Sequence, residues 1–176
     1  MKNQPPQEII IYLAGVMDAD GYFTIKRSTY RVRKIGDSKN PLYYERVGIK
    51  QTSPEAIKLI HRYWGGYFRI ENPSSKNGKP LYAIDLTNKK AYEFIKAIYP
   101  YLRIKKKQAG ILLRLRESLN RGKNKAVKTI QRDRWGNLTE FTRYAVSDEE
   151  IKLREQLIKE IKSLNDIRPW SYVPKE

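Results

Sequence analysis

The stretch LAGVMDADG, Leu13 to Gly21, places two carboxylates, Asp18 and Asp20, just before a glycine at the predicted end of a helix. The residues before it have the apolar spacing of a helix, and Tyr22 to Ile25 after it are typical of a strand. The C-terminus of a helix carries the negative end of its dipole, so each acid there is unfavourable by roughly 0.3–1 kcal/mol unless a cation is close. The two acids therefore indicate a metal ion.

The composition limits the size of the protein and the chemistry of such a metal site. At 176 residues the chain is long enough for one domain with its own core. We predict a single domain over 1–176, with a core at about 8–120 and a basic loop and helix at 121–176. Because the chain has no cysteine and a single histidine, His61, a thiolate site is excluded and a histidine-based zinc site is disfavoured. Any metal must be bound by oxygen atoms.

The charge of the chain predicts a polyanionic partner. Lysine and arginine number 36 against 19 acidic residues, a formal charge of +17, which is far more than solubility requires. Much of the excess lies between Tyr101 and Arg134, where 12 basic residues outnumber the two acids, Glu117 and Asp133. The first eight residues do not resemble a signal peptide, and no apolar run is long enough for a membrane span. We therefore predict a soluble, intracellular protein without membrane contact, in the cytoplasm of a prokaryote or in an organelle matrix.

The order of the predicted elements indicates the fold class. Periodicity and turn residues predict helix, two strands, helix, two strands and helix, an αββαββα order. This order is typical of an α+β fold in which helices cover one face of a four-stranded antiparallel sheet. Ser53 is the predicted N-cap of the second helix, with Pro54 at its first position. The predicted strands are Tyr22–Arg33, Tyr43–Gln51, Tyr67–Glu71 and Leu81–Leu86.

Alternation along these strands predicts one buried and one outward face. Phe23 and Ile25 of the first strand and Val47 and Ile49 of the second are expected to face the core. An outward face of long polar and basic side chains can lie in the major groove of DNA, although it can equally be the solvated face of an ordinary sheet. The predicted outward residues are Thr24, Lys26, Ser28, Tyr30, Tyr44, Arg46, Gly48, Lys50, Tyr67, Arg69 and Glu71.

Two further helices are predicted after Pro100. The first, Ile104–Leu119, begins with the basic run Lys105–Lys107, whose charge is unfavourable at a helix N-terminus and makes these residues candidates for phosphate contact. The last begins at a capping box formed by Ser147 and Glu150. Residues 121–146 between them have no clear period. We interpret them as irregular and partly DNA-facing, with Trp135-Gly136-Asn137 as a candidate turn between short strands.

The opening stretch also resembles a family signature. It matches seven of the nine positions of the LAGLIDADG motif, and the departing residues, Val16 and Met17, are apolar as well. With the helix before it, the strand after it and the αββαββα order, the chain resembles the single-motif branch of the LAGLIDADG homing endonucleases, which are intron-encoded. The segment YLRIKKKQAGILL from Tyr101 resembles the basic, helix-opening stretch of that branch. The resemblance covers roughly Ile9 to Leu119.

The resemblance implies a metal site and catalytic residues at the end of the motif. Asp20 corresponds to the metal-binding carboxylate, and the backbone carbonyl of Ala19 is a further oxygen ligand. Mg²⁺ or Mn²⁺ is the implied cofactor, and Ca²⁺ is expected to bind without supporting cleavage. Lys105 corresponds to a basic residue near the scissile phosphate, and Gln51 to a polar residue that organises water there. Asp18 is expected to orient backbone rather than to bind metal.

One motif in each chain implies a homodimer. Ala14, Gly15 and Ala19 are small, so two motif helices can approach closely across a two-fold axis and bring both Asp20 carboxylates together. The predicted dimer interface consists of Leu13, Ala14, Gly15, Met17 and Asp18. The predicted DNA-binding residues are the outward set named above together with Arg31, Arg33, Tyr82, Lys106 and Lys107.

The resulting hypothesis is a sequence-specific endonuclease that hydrolyses phosphodiester bonds of double-stranded DNA with a divalent metal. The resemblance implies a homodimer, a long pseudo-palindromic target and short 3′ overhangs. Two alternatives keep the same fold: a splicing maturase that binds intron RNA, and a DNA-binding regulator that does not cleave. A protein that only binds has no use for an acid such as Asp20 where phosphate must approach, and this favours the nuclease.

Overall fold

The computed structural model describes residues 4–28, 31, 32, 36, 37, 41–73, 78–121, 126–132, 136–144 and 146–166. The elements follow the predicted order, with a hairpin and a last helix after it. None of the helices in these ranges combines the length and the apolar composition needed to cross a membrane. The elements are α1 (Gln7–Asp20), β1 (Tyr22–Ser28), β2 (Arg31–Val32), β3 (Gly36–Asp37), β4 (Leu42–Gln51), α2 (Glu55–Trp64), β5 (Tyr67–Glu71), β6 (Leu81–Thr87), α3 (Asn88–Ile98), a 3₁₀ turn (Tyr99–Tyr101), α4 (Lys106–Arg121), β7 (Ala126–Arg132), β8 (Leu138–Tyr144) and α5 (Asp148–Asn165).

Strands β1, β4, β6 and β5 form an antiparallel sheet in that order. Phe23 of β1 lies opposite Val47 of β4, which lies opposite Leu86 of β6. All three side chains are buried, and so are Ile25 and Ile49, because alternate residues of a strand point to the same face. We call this buried face the inner face and the opposite one the outer face. The predicted α+β fold with a four-stranded antiparallel sheet is confirmed.

Helices cover the inner face and supply the rest of the core. The apolar stripes predicted from periodicity are buried, among them Ile57 and Ile60 of α2, Phe94 of α3 and Leu112 of α4. Leu157 of α5 joins the same cluster. Burial of one such large side chain stabilises a fold by about 1.5–3 kcal/mol, so this cluster fixes the position of α1 and of the sheet relative to each other.

The second helix begins one residue later than its sequence indicates. Its N-cap is Pro54, whose carbonyl accepts the hydrogen bond from the Lys58 N–H at 2.8 Å, and α2 starts at Glu55. The predicted cap by Ser53 is therefore wrong. The first hydrogen bond of the helix ends on the Pro54 carbonyl, so no side-chain cap from Ser53 is made.

Residues 121–146 contain a β-hairpin, so the irregular interpretation is wrong. Strands β7 and β8 pair antiparallel, with Ala126 opposite Tyr144 and Arg132 opposite Leu138. The candidate turn at Trp135 falls between the strands, and Trp135 itself lies outside the described residues. The exposed fractions of Ile130 and Leu138 are 68% and 67%, so these two apolar side chains do not mark a buried face. Apolar residues at exposed positions such as these do not give the buried alternation from which a strand is predicted.

The predicted N-cap of α5 is confirmed. The Ser147 hydroxyl accepts a hydrogen bond from the Glu150 N–H at 3.3 Å. The carboxylate of Glu150 turns away from Ser147 and accepts hydrogen bonds from Ser118 and Arg121 of α4 instead. The capping box is thus half formed, because its acid joins α5 to α4.

Candidate active site

The C-terminal end of α1 lies beside the end of β4. Asp20 is the last residue of α1, and Gln51 is the last residue of β4. Nε2 of Gln51 donates a hydrogen bond to Oδ2 of Asp20 at 2.7 Å. Because the Asp20 side chain is exposed, this bond orients a carboxylate that stays open to solvent and to ligands.

Asp18 makes contacts of a different kind. Its side chain is 8% exposed, and its two oxygens accept hydrogen bonds from the backbone N–H groups of Arg103 at 2.7 Å and Lys105 at 2.9 Å. These bonds fix the turn ahead of α4, which begins at Lys106 rather than at the predicted Ile104. Asp18 therefore fastens the end of α1 to the start of α4, a backbone-orienting role.

The ammonium of Lys105 caps the end of α1. Its Nζ donates to the backbone carbonyl oxygens of Met17 at 3.2 Å, Ala19 at 3.0 Å and Gly21 at 2.6 Å. Burial lowers the pKa of Lys105, while the charges of Asp18 and Asp20 oppose that shift. The last turn of α1 has no basic residue of its own, so Lys105 supplies the cation that the helix dipole and its two acids require.

The oxygen donors at this end are of the kind that fits a hard divalent cation. The Asp20 carboxylate and the Ala19 carbonyl are ligands of the kind that Mg²⁺ prefers. The Ala19 carbonyl oxygen uses one lone pair to accept the hydrogen bond from Lys105, and its second lone pair can face a cation. Within the described ranges, no group of three or more acidic or histidine side chains comes together to hold a metal.

The surface of α1 differs from the predicted dimer interface. Leu13, Ala14 and Met17 are fully buried in the chain's own core and Asp18 nearly so, which leaves none of them for a contact with another chain. They recur at helical spacing on the side of α1 that packs on the chain itself. Gly15, the fifth predicted residue, is exposed. The exposed α1 stripe consists of Ile11, Tyr12, Gly15 and Ala19.

The outer face of the sheet carries ten of the predicted DNA-binding residues. By strand register these are Thr24, Lys26, Ser28, Tyr44, Arg46, Gly48, Lys50, Tyr67, Arg69 and Glu71. Tyr82 does not belong to this face, because it lies opposite Gln51 on the inner side and its ring stacks on Phe68 with 6.4 Å between centroids. Its predicted place on the DNA-binding surface is therefore wrong.

Two further predicted DNA-binding residues, Lys106 and Lys107, belong to α4 rather than to the sheet. Lys106 and Lys107 are exposed in the first turn of α4, and Nζ of Lys106 lies 5.4 Å from the centre of the Tyr99 ring. Tyr30 and Arg33 lie outside the described residues. Of Arg31 the structure describes the backbone, which pairs with β3. The DNA contacts of these residues stay predictions.

Asp85 is a candidate functional residue that the strand pattern does not single out. It lies on the outer face of β6, where its carboxylate accepts hydrogen bonds from Tyr22, Arg46 and Arg69. Its side chain is 8% exposed. The signal in the sequence is a lone acid at an outward position of a central strand, between basic residues of the neighbouring strands.

The pKa shifts at Asp85 follow from this environment. Burial raises the pKa of its carboxyl, but hydrogen bonds from Arg46, Tyr22 and Arg69 outweigh burial and hold the pKa well below its usual range. Burial and the bond to Asp85 raise the pKa of Tyr22 to about 12, so its phenol stays a donor at neutral pH. Because the pKa of Asp85 is depressed, its contribution to stability is present above about pH 4 and is lost as the pH falls through the depressed value.

Comparison with solved structures identifies the architecture. No protein-family model matches the sequence, and no curated protein matches it in sequence. The homing endonuclease I-CvuI, in complex with a DNA target, aligns with a TM-score of 0.62 and 16% identity over 93% of this chain and 85% of that one. The archaeal intron-encoded homing endonuclease I-Vdi141I, complexed with DNA, gives 0.61 and 16% over 93% and 87%. This protein has the LAGLIDADG homing endonuclease fold.

The LAGLIDADG fold also aligns with part of a longer chain. I-SmaMI, bound to an uncleaved DNA target in the presence of calcium ions, gives a TM-score of 0.53 and 16% identity. The alignment covers 92% of this chain but 46% of I-SmaMI. This chain therefore aligns with about half the length of I-SmaMI.

Proposed function

We propose that this protein is a homing endonuclease that cuts double-stranded DNA at a specific site. One observation carries the proposal: Asp20, Gln51 and Lys105, which are far apart in sequence, come together at the C-terminal end of α1. The neighbours I-CvuI and I-Vdi141I are homing endonucleases in complex with DNA, which supports a DNA substrate. The formal charge of +17 supports the same kind of partner.

Each of the three side chains has its own part in phosphodiester hydrolysis. Asp20 provides a carboxylate ligand that the Gln51 amide holds in place. The second amide N–H and the carbonyl oxygen of Gln51 are available to orient water. The Lys105 ammonium places positive charge beside that carboxylate, where a phosphate gains negative charge during hydrolysis. Mg²⁺ held by Asp20 and the Ala19 carbonyl would neutralise charge on the scissile phosphate.

The active form is a homodimer joined through the exposed α1 stripe. Gly15 and Ala19 are small and four residues apart, so the helix backbones of two copies can approach closely there. The contact would bring two Asp20 carboxylates together, so that both copies contribute ligands to the metal. The coverage of 46% of I-SmaMI by this chain supports the need for a second copy.

The DNA lies across the outer face of the two sheets in such a dimer. Two-fold symmetry then requires a long, pseudo-palindromic target, with one half-site for each copy. Exposed Lys106 and Lys107 would bind phosphates beside the sheet. Cleavage of both strands near the two-fold axis would leave short 3′ overhangs and start the homing of the intron that encodes the protein.

A cleavage selection tests this function. The purified protein is incubated with Mg²⁺ and plasmids carrying random inserts, through repeated rounds of binding, and the ends of linearised molecules are sequenced. We expect one pseudo-palindromic sequence with short 3′ overhangs, bound but uncut when Ca²⁺ replaces Mg²⁺. Binding of that sequence without cleavage in Mg²⁺ indicates a regulator. Faster splicing of an intron RNA without cleavage of any DNA indicates a maturase.

The variant Gly15→Glu is expected to separate the dimer without disturbing the fold. A Cβ atom at Gly15 meets nothing within 4 Å in the chain, so a glutamate fits the single copy. In the proposed contact two glutamates would be forced together across the symmetry axis, where like charges repel. Sedimentation is expected to give a monomer with an unchanged circular dichroism spectrum, and plasmid cleavage is expected to be lost.

Asn120→Glu is the matched control for this prediction. Asn120 is exposed on α4, away from the α1 stripe, and the change adds the same charge to a helix surface. It should leave both sedimentation and cleavage as in the unmodified protein. A Gly15→Glu protein that still sediments as a dimer would overturn the assignment of the interface to this stripe.

A further inference from the structure

The outer face of the sheet has a charged cluster centred on Asp85. Nε and Nη2 of Arg46 donate to the two oxygens of Asp85 at 2.7 and 2.9 Å. Nη1 of Arg69 and the hydroxyl of Tyr22 donate to the same carboxylate. We call these four residues the Asp85 cluster. One carboxylate thus holds two guanidinium groups on the surface where the proposed function places DNA.

The cluster depends on a residue without a side chain in the strand between Tyr22 and Asp85. Tyr22, Gly48 and Asp85 lie side by side on β1, β4 and β6. A Cβ atom at Gly48 would lie 2.5 Å from the Tyr22 hydroxyl oxygen, closer than any contact allows. Only glycine therefore lets the tyrosine cross β4 and reach Asp85. The cluster extends over all four strands of the sheet, and its geometry depends on each of them.

The two arginines are held in fixed orientations with part of each guanidinium free. Arg46 uses its Nε side on Asp85, while Arg69 uses Nη1 on Asp85 and Nε on Glu71 at 2.8 Å. Asp85 does not engage Nη1 of Arg46, and neither Asp85 nor Glu71 engages Nη2 of Arg69. The side chains are 32% and 23% exposed. Each arginine thus presents its remaining N–H groups from a position that packing and hydrogen bonds have already set.

The charges in and beside the cluster are nearly balanced, which argues against phosphate binding. Glu71 also accepts a hydrogen bond from Lys50 at 2.7 Å, so two carboxylates face three basic side chains. A phosphate-binding site gains affinity from positive charge that is not already paired. The charges of Arg46 and Arg69 are paired with carboxylates. An oriented guanidinium is suited instead to two adjacent acceptors on a base edge. In the major groove that pattern is O6 and N7 of guanine.

We propose that Asp85 is a positioning residue that holds Arg46 and Arg69 for guanine recognition in the major groove. The inference rests on the proposed function and names the base that this part of the surface selects. Tyr22 follows Asp20 by two residues, and Gly48 precedes Gln51 by three, so the cluster lies about 10 Å from the candidate active site. Each half-site should therefore contain two guanines in its part nearest the cut.

The test is a binding selection from random double-stranded DNA in Ca²⁺. The unmodified protein should enrich guanine at two positions in each half-site. Asp85→Asn should reduce the preference for guanine at both positions by about tenfold or more, while preferences elsewhere in the half-site persist. Glu71→Gln should relax the position read by Arg69 alone. The control Glu55→Gln makes the same charge change at an exposed site on α2 and should leave every preference unchanged.

A second pair of variants keeps the test decisive if Asp85→Asn does not fold. Arg46→Lys and Arg69→Lys keep the charge but cannot donate two parallel hydrogen bonds, so each should lose guanine preference at one position. Unchanged base preferences in Asp85→Asn, or an equal loss at every position, would overturn the inference and leave Asp85 as a structural link in the sheet. Failure of the unmodified protein to enrich any sequence would overturn the proposed function itself, and the inference with it.

Discussion

Asp20→Asn is expected to lower the rate of plasmid cleavage by about a thousandfold or more while leaving target binding within a few fold. The asparagine keeps the shape of the side chain and an oxygen that can accept the hydrogen bond from Gln51. It removes the negative charge that a divalent cation requires. Cleavage is measured by single-turnover kinetics in Mg²⁺, and binding by titration of labelled target in Ca²⁺ at fixed salt.

Gln51→Glu is a useful companion to this variant. It also preserves the shape of a side chain in the same contact, but it places a second carboxylate against Asp20 in place of an amide donor. We expect it to impair cleavage through repulsion and altered orientation, with metal ligands still present. If Asp20→Asn cuts the target at the rate of the unmodified protein, the assignment of the metal ligand is wrong.

Asp18→Asn is expected to lower the free energy of unfolding by about 2 kcal/mol. The carboxylate of Asp18 is buried and accepts hydrogen bonds from two backbone N–H groups, those of Arg103 and Lys105. An amide has one accepting oxygen, so its NH₂ group would face a donor, and one of the two N–H groups would lose its partner. Equilibrium unfolding in urea at a fixed protein concentration measures the change.

Asp20→Asn is the matched control for stability, because the same change is made two residues away on the same helix. Asp20 is exposed, and we expect its free energy of unfolding to stay within about 0.5 kcal/mol of the original value. The two acids should thus separate: Asp18 governs stability, and Asp20 governs cleavage. Equal stability of both variants would contradict the anchoring role of Asp18.

Periodicity predicted the positions of the elements near the site better than it predicted which of their sides are exposed. The end of α1 at Asp20, the strand from Tyr22 and the outward placement of Arg46 follow from local spacing, and the structure has them as predicted. The dimer surface cannot be predicted from local spacing. Leu13 and Met17 pack in the chain's own core, but apolar residues would be expected equally at a contact with another chain. A helix with small and apolar residues all round does not reveal which side its own sheet covers.

Long-range pairing explains why Asp85 escaped prediction. Its partners Tyr22, Arg46 and Arg69 lie on three other strands, and the contact with Tyr22 depends on the glycine at position 48 between them. Strand alternation gives the face of a residue but not its neighbours on that face, since those depend on strand order and register. The order β1-β4-β6-β5 is what places Asp85 among the arginines.

The acids at the end of α1 show the same division between sequence and structure. Local sequence alone determined that Asp18 and Asp20 sit at a negative helix end and that a positive charge is needed there, because dipole and charge depend only on the helix itself. Only the tertiary structure decided that Lys105 supplies that charge in the chain, that Asp18 is anchored to backbone and that Asp20 stays open. These outcomes depend on where the core packs the start of α4 against the end of α1, which no local pattern specifies.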